Sequence, residues 1–308
     1  MRFSTLIPAA MALAPAAVSA AGQLGFSLGT KLADGSCKFQ ADYEKDFDAI
    51  SKASGSKLVR GYSASDCNTA KEILPAAKAK GFKVVLAVWP DVDESLQADK
   101  KALKTYATDE YADQIYAVTI GSETLYRGNF TGDELLDKIN DVRTVLPKGT
   151  KVGTADSWNK WADGTGDAVV KGGVDIILAN AFAYWQGQDI KNASATYFED
   201  MARAIQHIQD VAGGPDKAPE IWNGETGWPT DGGSDYEDAK AGTDLAKTYY
   251  HEAVCGALKW GVNAFYFEAF DEPWKPHAVG DSGAAGDETK WGAMTADRQT
   301  KFDLTCKN

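Results

Sequence analysis

The sequence predicts an α/β fold, a (β/α)8 TIM barrel in a single domain, on three observations. Eight short β-rich runs recur along the chain, amphipathic stretches separate them, and the turn after the first run lacks the glycine-rich phosphate loop of an open doubly wound sheet. The runs are Leu24–Leu28, Lys57–Tyr62, Lys83–Trp89, Ile115–Ser122, Lys151–Ala155, Val174–Ala179, Glu220–Gly224 and Val262–Glu268. Eight strand-then-helix units close naturally into a ring whose functional side chains gather at the C-terminal ends of the strands. No sequence repeat accompanies the pattern, so the repetition is one of hydrophobic period alone.

The intervening helices have physical starts and stops. Tyr43, Phe47 and Ile50 recur at helical spacing until Gly55, and Asn68 is placed to cap a helix that ends at Gly81. Thr131-Gly132-Asp133-Glu134 opens a helix carrying Leu135, Leu136, Ile139, Val142 and Leu146, and Pro147 stops it. Helices are also expected from Thr196 to Val211 and from Asp238 to Trp260.

The opening residues, MRFSTLIPAAMALAPAAVSA, place Arg2 before an apolar run that ends in Val18-Ser19-Ala20. This is the form of a secretory signal peptide, residues 1–20, cleaved near Ala20 or Ala21. The run is too short to span a bilayer and is interrupted by Pro8 and Pro15. Residues 21–308 are then expected to form one secreted domain, with no second long apolar stretch and no hydrophobic C-terminal tail for a lipid anchor. A net charge of −12 with dispersed acidic residues argues against nucleic acid or an anionic membrane as partner, and a monomer is expected.

The four cysteines are even in number and all follow the leader, as in an oxidising compartment. Of three possible pairings, Cys37 with Cys67 and Cys255 with Cys306 are favoured, because each joins neighbouring segments and the second ties down the C-terminal tail. None has zinc-knuckle spacing, and His207, His251 and His277 are scattered, so neither a metal nor another cofactor is expected. Asn129-Phe130-Thr131 and Asn192-Ala193-Ser194 are glycosylation sequons.

Unusual residues stand at the strand ends in register. The second run ends in Arg60-Gly61-Tyr62, the third in Val88-Trp89-Pro90 and the fourth in Gly121-Ser122-Glu123. Asp156-Ser157-Trp158 follows the fifth, and Asn180-Ala181-Phe182-Ala183-Tyr184-Trp185 the sixth. The seventh ends in Asn223-Gly224-Glu225, and the eighth in Phe267-Glu268 before Lys275. One carboxylate after an apolar strand is usually a solvated loop residue or a helix cap. Two, at strands four and seven, lie across an eight-stranded ring from each other, so Glu123 and Glu225 are placed to face one another over the mouth. Glycosidic cleavage needs that pair: one carboxylic acid protonates the leaving oxygen while the other carboxylate attacks the anomeric carbon, and a gap of roughly 5 Å would make the enzyme retaining. Trp89, Tyr126, Trp158, Phe182, Tyr184, Trp185 and Trp228 offer flat faces for sugar rings, and Arg60, Tyr62, Ser122, Asp156, Asn180, Glu268 and Lys275 offer polar contacts for hydroxyls. The plainer alternative for any one of these aromatics is a place in the core.

At these residues the chain resembles glycoside hydrolase family 17, the β-1,3-glucanases, and in particular its fungal cell-wall branch of glucanases and glucanosyltransferases. Gly224-Glu225-Thr226-Gly227-Trp228-Pro229-Thr230-Asp231-Gly232 is similar to the family's nucleophile signature, and Val118 through Arg127 to its acid/base strand. The likeness runs from Gly25 to the last cysteine. It implies the barrel fold, retention of configuration, Glu225 as nucleophile, Glu123 as general acid/base, β-1,3-glucan as substrate with water or a second glucan as acceptor, and a cell-wall or extracellular location. Ser122 departs from the wider superfamily, where an Asn commonly precedes the acid/base. Two other readings compete: a non-catalytic wall protein that holds glucan, and an enzyme of the same fold that acts on another β-glycan.

Overall fold

The computed structural model describes residues 21–231, 235–275, 277–279 and 285–306, with backbone only at 277–279 and 285–286. The expected leader and Gly232 lie outside the described residues.

Eight parallel strands close into a barrel in sequence order, the last pairing with the first. They are β1 Leu24–Ser27, β2 Leu58–Arg60, β3 Lys83–Val88, β4 Ile115–Ser122, β5 Val152–Ser157, β6 Ile176–Asn180, β7 Glu220–Thr226 and β8 Ala264–Tyr266. The helices between them are α1 Gln40–Ser54, α2 Thr69–Lys80, α3 Asp93–Tyr106, α4 Gly132–Arg143, α5 Trp158–Ala162, α6 Asp167–Lys171, α7 Ile190–Ala212, α8 Thr243–Tyr249 and α9 Cys255–Trp260. The expected fold class is therefore borne out.

Alternation along each strand builds two cores. Leu58, Val85, Ala117, Ala155, Ile176, Leu178, Trp222 and Phe265 fill the barrel, where Trp222 stacks on Phe265 with ring centroids 5.6 Å apart. Their neighbours Val59, Val84, Leu86, Val118, Ile120, Val152 and Ile177 face outward to the helices. Trp222 and its neighbours thus leave a packed core rather than a channel through the barrel.

Several local expectations need correction. Asn68 does not cap α2 with its side chain; it is itself left-handed, at φ 54°, after a 3-10 turn from Asp66 to Asn68. The long seventh helix starts at Ile190 rather than near Thr196, because Asp189 accepts a hydrogen bond from Lys191 N at 2.9 Å and so provides the cap. The stretch from Asp238 to Trp260 is not one helix: α8 and α9 flank a π-helical turn, Tyr250–Val254. That turn lets consecutive tyrosines serve two sides, Tyr249 Oη meeting Thr226 Oγ1 at 2.6 Å and Tyr250 Oη donating to Leu304 O at 2.9 Å. Gly55 and Gly81 do end α1 and α2 in left-handed conformations.

Both expected disulfides form, Cys37–Cys67 and Cys255–Cys306, with Cα atoms 5.2 and 5.3 Å apart. The first links the β1 and β2 loops and the second fastens the C-terminal segment to α9. After β8 the chain returns alongside itself: Glu268 N donates to Trp291 O, Ala293 N to Glu268 O and Met294 N to Ala269 O. Loops 29–38 and 271–275 thereby come together over one quadrant of the barrel mouth, where Lys31 stands over the Trp274 ring.

Candidate active site

Strict alternation would not put Glu225 in the barrel mouth. Trp222 points inward, so Gly224 is the next inward position and Glu225 would fall on the outer face beside Asn223. A β-bulge reverses this: Ala179 and Asn180 of β6 pair with Asn223 and Glu225 of β7, leaving Gly224 as the extra residue. A side chain at Gly224 would bring a Cβ to 2.5 Å from Asn180 Oδ1 and 2.7 Å from Leu178 Cβ, so only glycine fits. Asn223 holds the bulge from behind, its Nδ2 donating to Ala179 O at 2.9 Å and to Glu225 O at 3.0 Å.

A second irregularity aims the other carboxylate. Thr119 and Ser122 of β4 pair with Gly153 and Ala155 of β5, three steps against two, around Gly121 at φ 84°. Glu123 follows in the left-handed region at φ 59°, a conformation uncommon for a residue with a Cβ. Its backbone N–H donates to Ala155 O at 3.0 Å.

The two carboxylates share a network across the mouth. Arg60, fully buried at the end of β2, donates from Nη1 to Glu225 Oε1 and to Gly224 O, both at 2.8 Å, and from Nη2 to Ser122 Oγ at 3.1 Å. Asn180 Nδ2 donates to Glu123 Oε1 at 3.1 Å. Burial and then the Glu225 charge push the Glu123 carboxyl up to about 7, against the opposing Asn180 hydrogen bond. Tyr62 lies under the Arg60 guanidinium, 5.0 Å from ring centroid to Cζ, with its phenol pushed up by burial and by Glu225. One carboxylate is thus fixed by a cation and the other is kept protonated near neutrality, an arrangement suited to nucleophile and acid in turn.

The quadrant after β8 adds a carboxylate cluster. Lys275 Nζ bonds Glu268 Oε1 at 2.8 Å and Glu272 Oε2 at 2.9 Å, and Glu268, 2 % exposed, is held up by burial and by Glu272. Gly29 makes room for Glu272, since a Cβ there would lie 1.7 Å from Glu272 Oε1. Glu288, pushed up by burial, lies near enough to Lys275 and Glu225 to feel both charges.

Some residues expected to meet sugar do other work. Trp228 has no exposed surface and Tyr184 has 1 %; each is packed edge to face against the other at 5.0 Å, with Trp228 Nε1 donating to Lys240 O. They support the mouth rather than line it, because their faces are already covered. Asp156 is fully buried and accepts three backbone N–H bonds, so it offers nothing to a hydroxyl. Trp158 opens α5 with Arg203 of α7 over its ring at 5.1 Å, which turns its contact toward the outer helices. Phe182, Trp185, Trp89 and Tyr126 remain half-buried. Trp185 stacks on the buried Trp291 at 5.3 Å, Phe182 meets the same Trp291 edge to face, and Trp89 carries the Arg127 guanidinium at 5.0 Å.

Sequence reasoning placed Asn223 and Glu272 at strand ends without giving them a role, and missed Trp291, Glu288 and Asp99. Asp99 projects from α3 with no exposure, accepting from Ser63 Oγ, Ser65 N, Ser65 Oγ and Trp89 N, and so locks the β2 and β3 loops together. In the sequence it is one acidic residue in a charged amphipathic helix; only its four donors set it apart. Among the described residues no group of three or more His, Cys, Asp or Glu could hold a metal, and no helix is long and apolar enough to cross a membrane.

A closed parallel barrel with two carboxylates at the ends of β4 and β7, one paired with a buried arginine, has the form of the (β/α)8 glycoside hydrolases. The family model described as the BtgE/BtgC glycoside hydrolase domain matches residues 25–292, and the chain belongs to that family, in agreement with the family 17 resemblance. A glucan 1,3-beta-glucosidase of Arthroderma benhamiae is 60% identical over 307 residues, covering 100% of this chain and 98% of that protein. The glucan 1,3-beta-glucosidase of Saccharomyces cerevisiae is 43% identical, covering 99% of each. Among solved structures, a family 17 beta-1,3-glucanosyltransferase from Rhizomucor miehei superposes with a TM-score of 0.77 at 29% identity, over 92% of this chain and 97% of that one. An active-site mutant of the Rhizomucor enzyme, at 28% identity, was solved with laminaritriose.

Proposed function

We propose that this protein is a secreted, retaining β-1,3-glucan-active enzyme in which Glu225 is the nucleophile and Glu123 the general acid/base. The observation that carries the reading is the split between the two carboxylates: Glu225 held by buried Arg60, Glu123 raised to about 7 beside it. The relatives' glucosidase and glucanosyltransferase names, and the laminaritriose bound to one of them, support the substrate.

In the first step a Glu225 oxygen forms a bond to the anomeric carbon of a β-1,3-linked glucosyl unit while the bond to the glycosidic oxygen breaks. Glu123 gives its proton to that oxygen, and the reducing-end fragment leaves as a free alcohol. Glu123, now a carboxylate, takes a proton from water or from the 3-hydroxyl of a second glucan, whose oxygen attacks the anomeric carbon and releases Glu225. Trp185, Phe182, Tyr126 and Trp89 are the half-buried faces available to sugar rings, and the Glu268–Lys275 pair the polar edge.

Residues 1–20 direct the chain out of the cell, and Asn129 and Asn192, both exposed, carry the glycans. The leader and the two disulfides support secretion, and the family resemblance supports a wall location, with residues 21–308 as the catalytic domain.

The test is product analysis with reduced laminari-oligosaccharides of one length. New lengths are expected from the native chain, longer ones reporting transfer, and none from Glu225→Gln. Glu123→Gln should lose activity on these substrates yet recover it on a glucoside with an activated leaving group, which needs little protonation. No new length from the native protein would mean that the cleft binds glucan without cutting it.

A further inference from the structure

We infer that Asp156 is a positioning residue for the general acid, holding the left-handed turn that carries Glu123 in its working orientation. The inference rests on the acid role proposed for Glu123. By the two-residue period of β5, Asp156 falls on the outward face with Val152, while Ala155 lies inside the barrel. From there its carboxylate reaches across to the segment that leaves β4. Oδ2 accepts from Leu125 N at 2.8 Å, and Oδ1 accepts from Tyr126 N at 3.1 Å and Ser157 N at 2.9 Å.

The chain at Glu123 needs such a hold. A glutamate at φ 59° occupies a region that L-residues avoid at a cost of about 1–3 kcal/mol, so the turn persists only where surrounding contacts over-determine it. Those contacts come from one place: Ala155 O takes the Glu123 N–H, and Asp156 takes the N–H groups two and three residues further on. Arg127 N closes the same turn onto Glu123 O at 3.0 Å. A carboxylate is the one side chain that accepts from three directions without donating, which is what a nest of backbone N–H groups requires. No hydroxyl of a bound sugar competes, because Asp156 has no exposed surface.

Its charge acts on the same group. The charged groups facing Glu123 are Glu225 from β7, Asp156 from β5 and Arg127 from the β4 loop, with neutral Asn180 from β6 as its hydrogen-bond donor. Glu225 and Asp156 favour the protonated acid, and Arg127 opposes them.

Asp156→Asn keeps the size but turns one N–H donor toward another, and Asp156→Ala removes all three acceptors. With laminari-oligosaccharides, Asp156→Asn is expected to lower kcat by about 10²-fold with KM little changed, since a catalytic group displaced by an ångström costs about that much. The alkaline limb of its pH profile should move to lower pH, because loss of the negative charge makes Glu123 the stronger acid. On an activated aryl glucoside, whose departure needs little proton transfer, the loss should shrink to a few-fold. A raised KM with an unmoved alkaline limb would return Asp156 to sugar binding and overturn the inference, as would a variant as active as the native enzyme. Glu123→Gln run in parallel separates the failures: if it keeps full activity on glucan, the acid assignment itself falls, whatever Asp156→Asn does. Should both Asp156 variants fail to fold, the native protein still decides. The amide resonances of Leu125, Tyr126 and Ser157 should move together as one carboxyl titrates near about 6, and independent titrations would overturn the inference.

Discussion

Glu123 keeps a proton at a pH where a solvated glutamate has lost it. The causes are burial and the facing Glu225 charge, and the consequence is that the acid survives to about 7. The rate on laminari-oligosaccharides should therefore fall above about pH 7; a profile already falling at pH 5 would contradict the assignment. Arg60 is the counterweight. It is fully buried with its Nη atoms on Glu225 Oε1, Gly224 O and Ser122 Oγ, so Arg60→Met would strand a mostly buried carboxylate and two acceptors. Breaking a buried pair by removing one partner costs about 3–5 kcal/mol. Denaturant unfolding should show a loss of that order, together with loss of turnover even in the fraction that remains folded. Ser122, read from the sequence as a departure from the superfamily's Asn, is accounted for by the same guanidinium: its short hydroxyl reaches Arg60, and Asn180 supplies the amide beside Glu123.

Among the elements, β4 and β7 are the ones whose irregularity matters. Each carries one extra residue ahead of its carboxylate, at Gly121 and Gly224: on β7 this turns the outward position of Glu225 into the mouth, and on β4 it turns Ser122 in toward Arg60 and leaves Glu123 to the left-handed turn that follows. Asn223 secures the second bulge with two hydrogen bonds from one amide nitrogen. Asn223→Ala leaves Ala179 O and Glu225 O without that donor, at about 1–3 kcal/mol. Its larger effect should be on turnover, because Glu225 is then free to rotate away. Circular dichroism showing a folded barrel beside a kcat lowered by about 10²-fold is the expected result, and an unchanged kcat would show that the bulge holds without Asn223. Helices act on the loops in the same way. Buried Asp99 of α3 grips Ser63, Ser65 and Trp89, while Asp200 of α7 accepts from Gln186 Nε2 at 2.6 Å beside Trp185. The walls of the mouth are fixed from behind by aspartates that never reach it.

The whole molecule responds to pH through these buried acids. Unfolded, Asp and Glu titrate near about 4; folded, Glu123 is raised to about 7 and Asp156 and Asp200 to about 6, each mainly by burial. The folded chain holds these protons longer, so their stabilising contribution is full below about pH 4 and is lost as pH rises through 6 and 7. Asp34 and Glu134, lowered by hydrogen bonds from Ser36 and Thr131, work oppositely and withdraw support as pH falls below about 4. The melting temperature should therefore peak on the acid side of neutrality and decline toward pH 8, less steeply in Glu123→Gln. A melting temperature that climbs steadily to pH 8 would contradict this. The Cys255–Cys306 bridge spans 51 residues and should contribute about 4 kcal/mol by restricting the unfolded chain, read as a drop of several degrees in the double serine variant.

Much of this was legible in the sequence, and the limit has a physical cause. Hydrophobic period and turn residues are local, so eight strands, the helix ends at Gly55 and Gly81, and the positions of Glu123 and Glu225 at the ends of β4 and β7 follow from short windows of chain. The pairing of cysteines followed from proximity along the chain. Period alone, however, counts in twos, and a bulge is invisible until the neighbouring strand shows two residues opposite one. For the same reason Asp99 and Asp156 look like ordinary polar residues until the N–H groups that they accept from are brought to them by other strands. Tyr184 and Trp228 read as aromatics at strand ends, and become core only when Trp291 packs on Tyr184, and Tyr249 and Tyr184 on Trp228. The sequence by itself determined the barrel and the placement of Glu123 and Glu225 where β4 and β7 finish. Tertiary structure decided which way those carboxylates point and that Glu123 holds its proton to about 7, because orientation and burial depend on groups that only the closed ring brings within hydrogen-bonding distance.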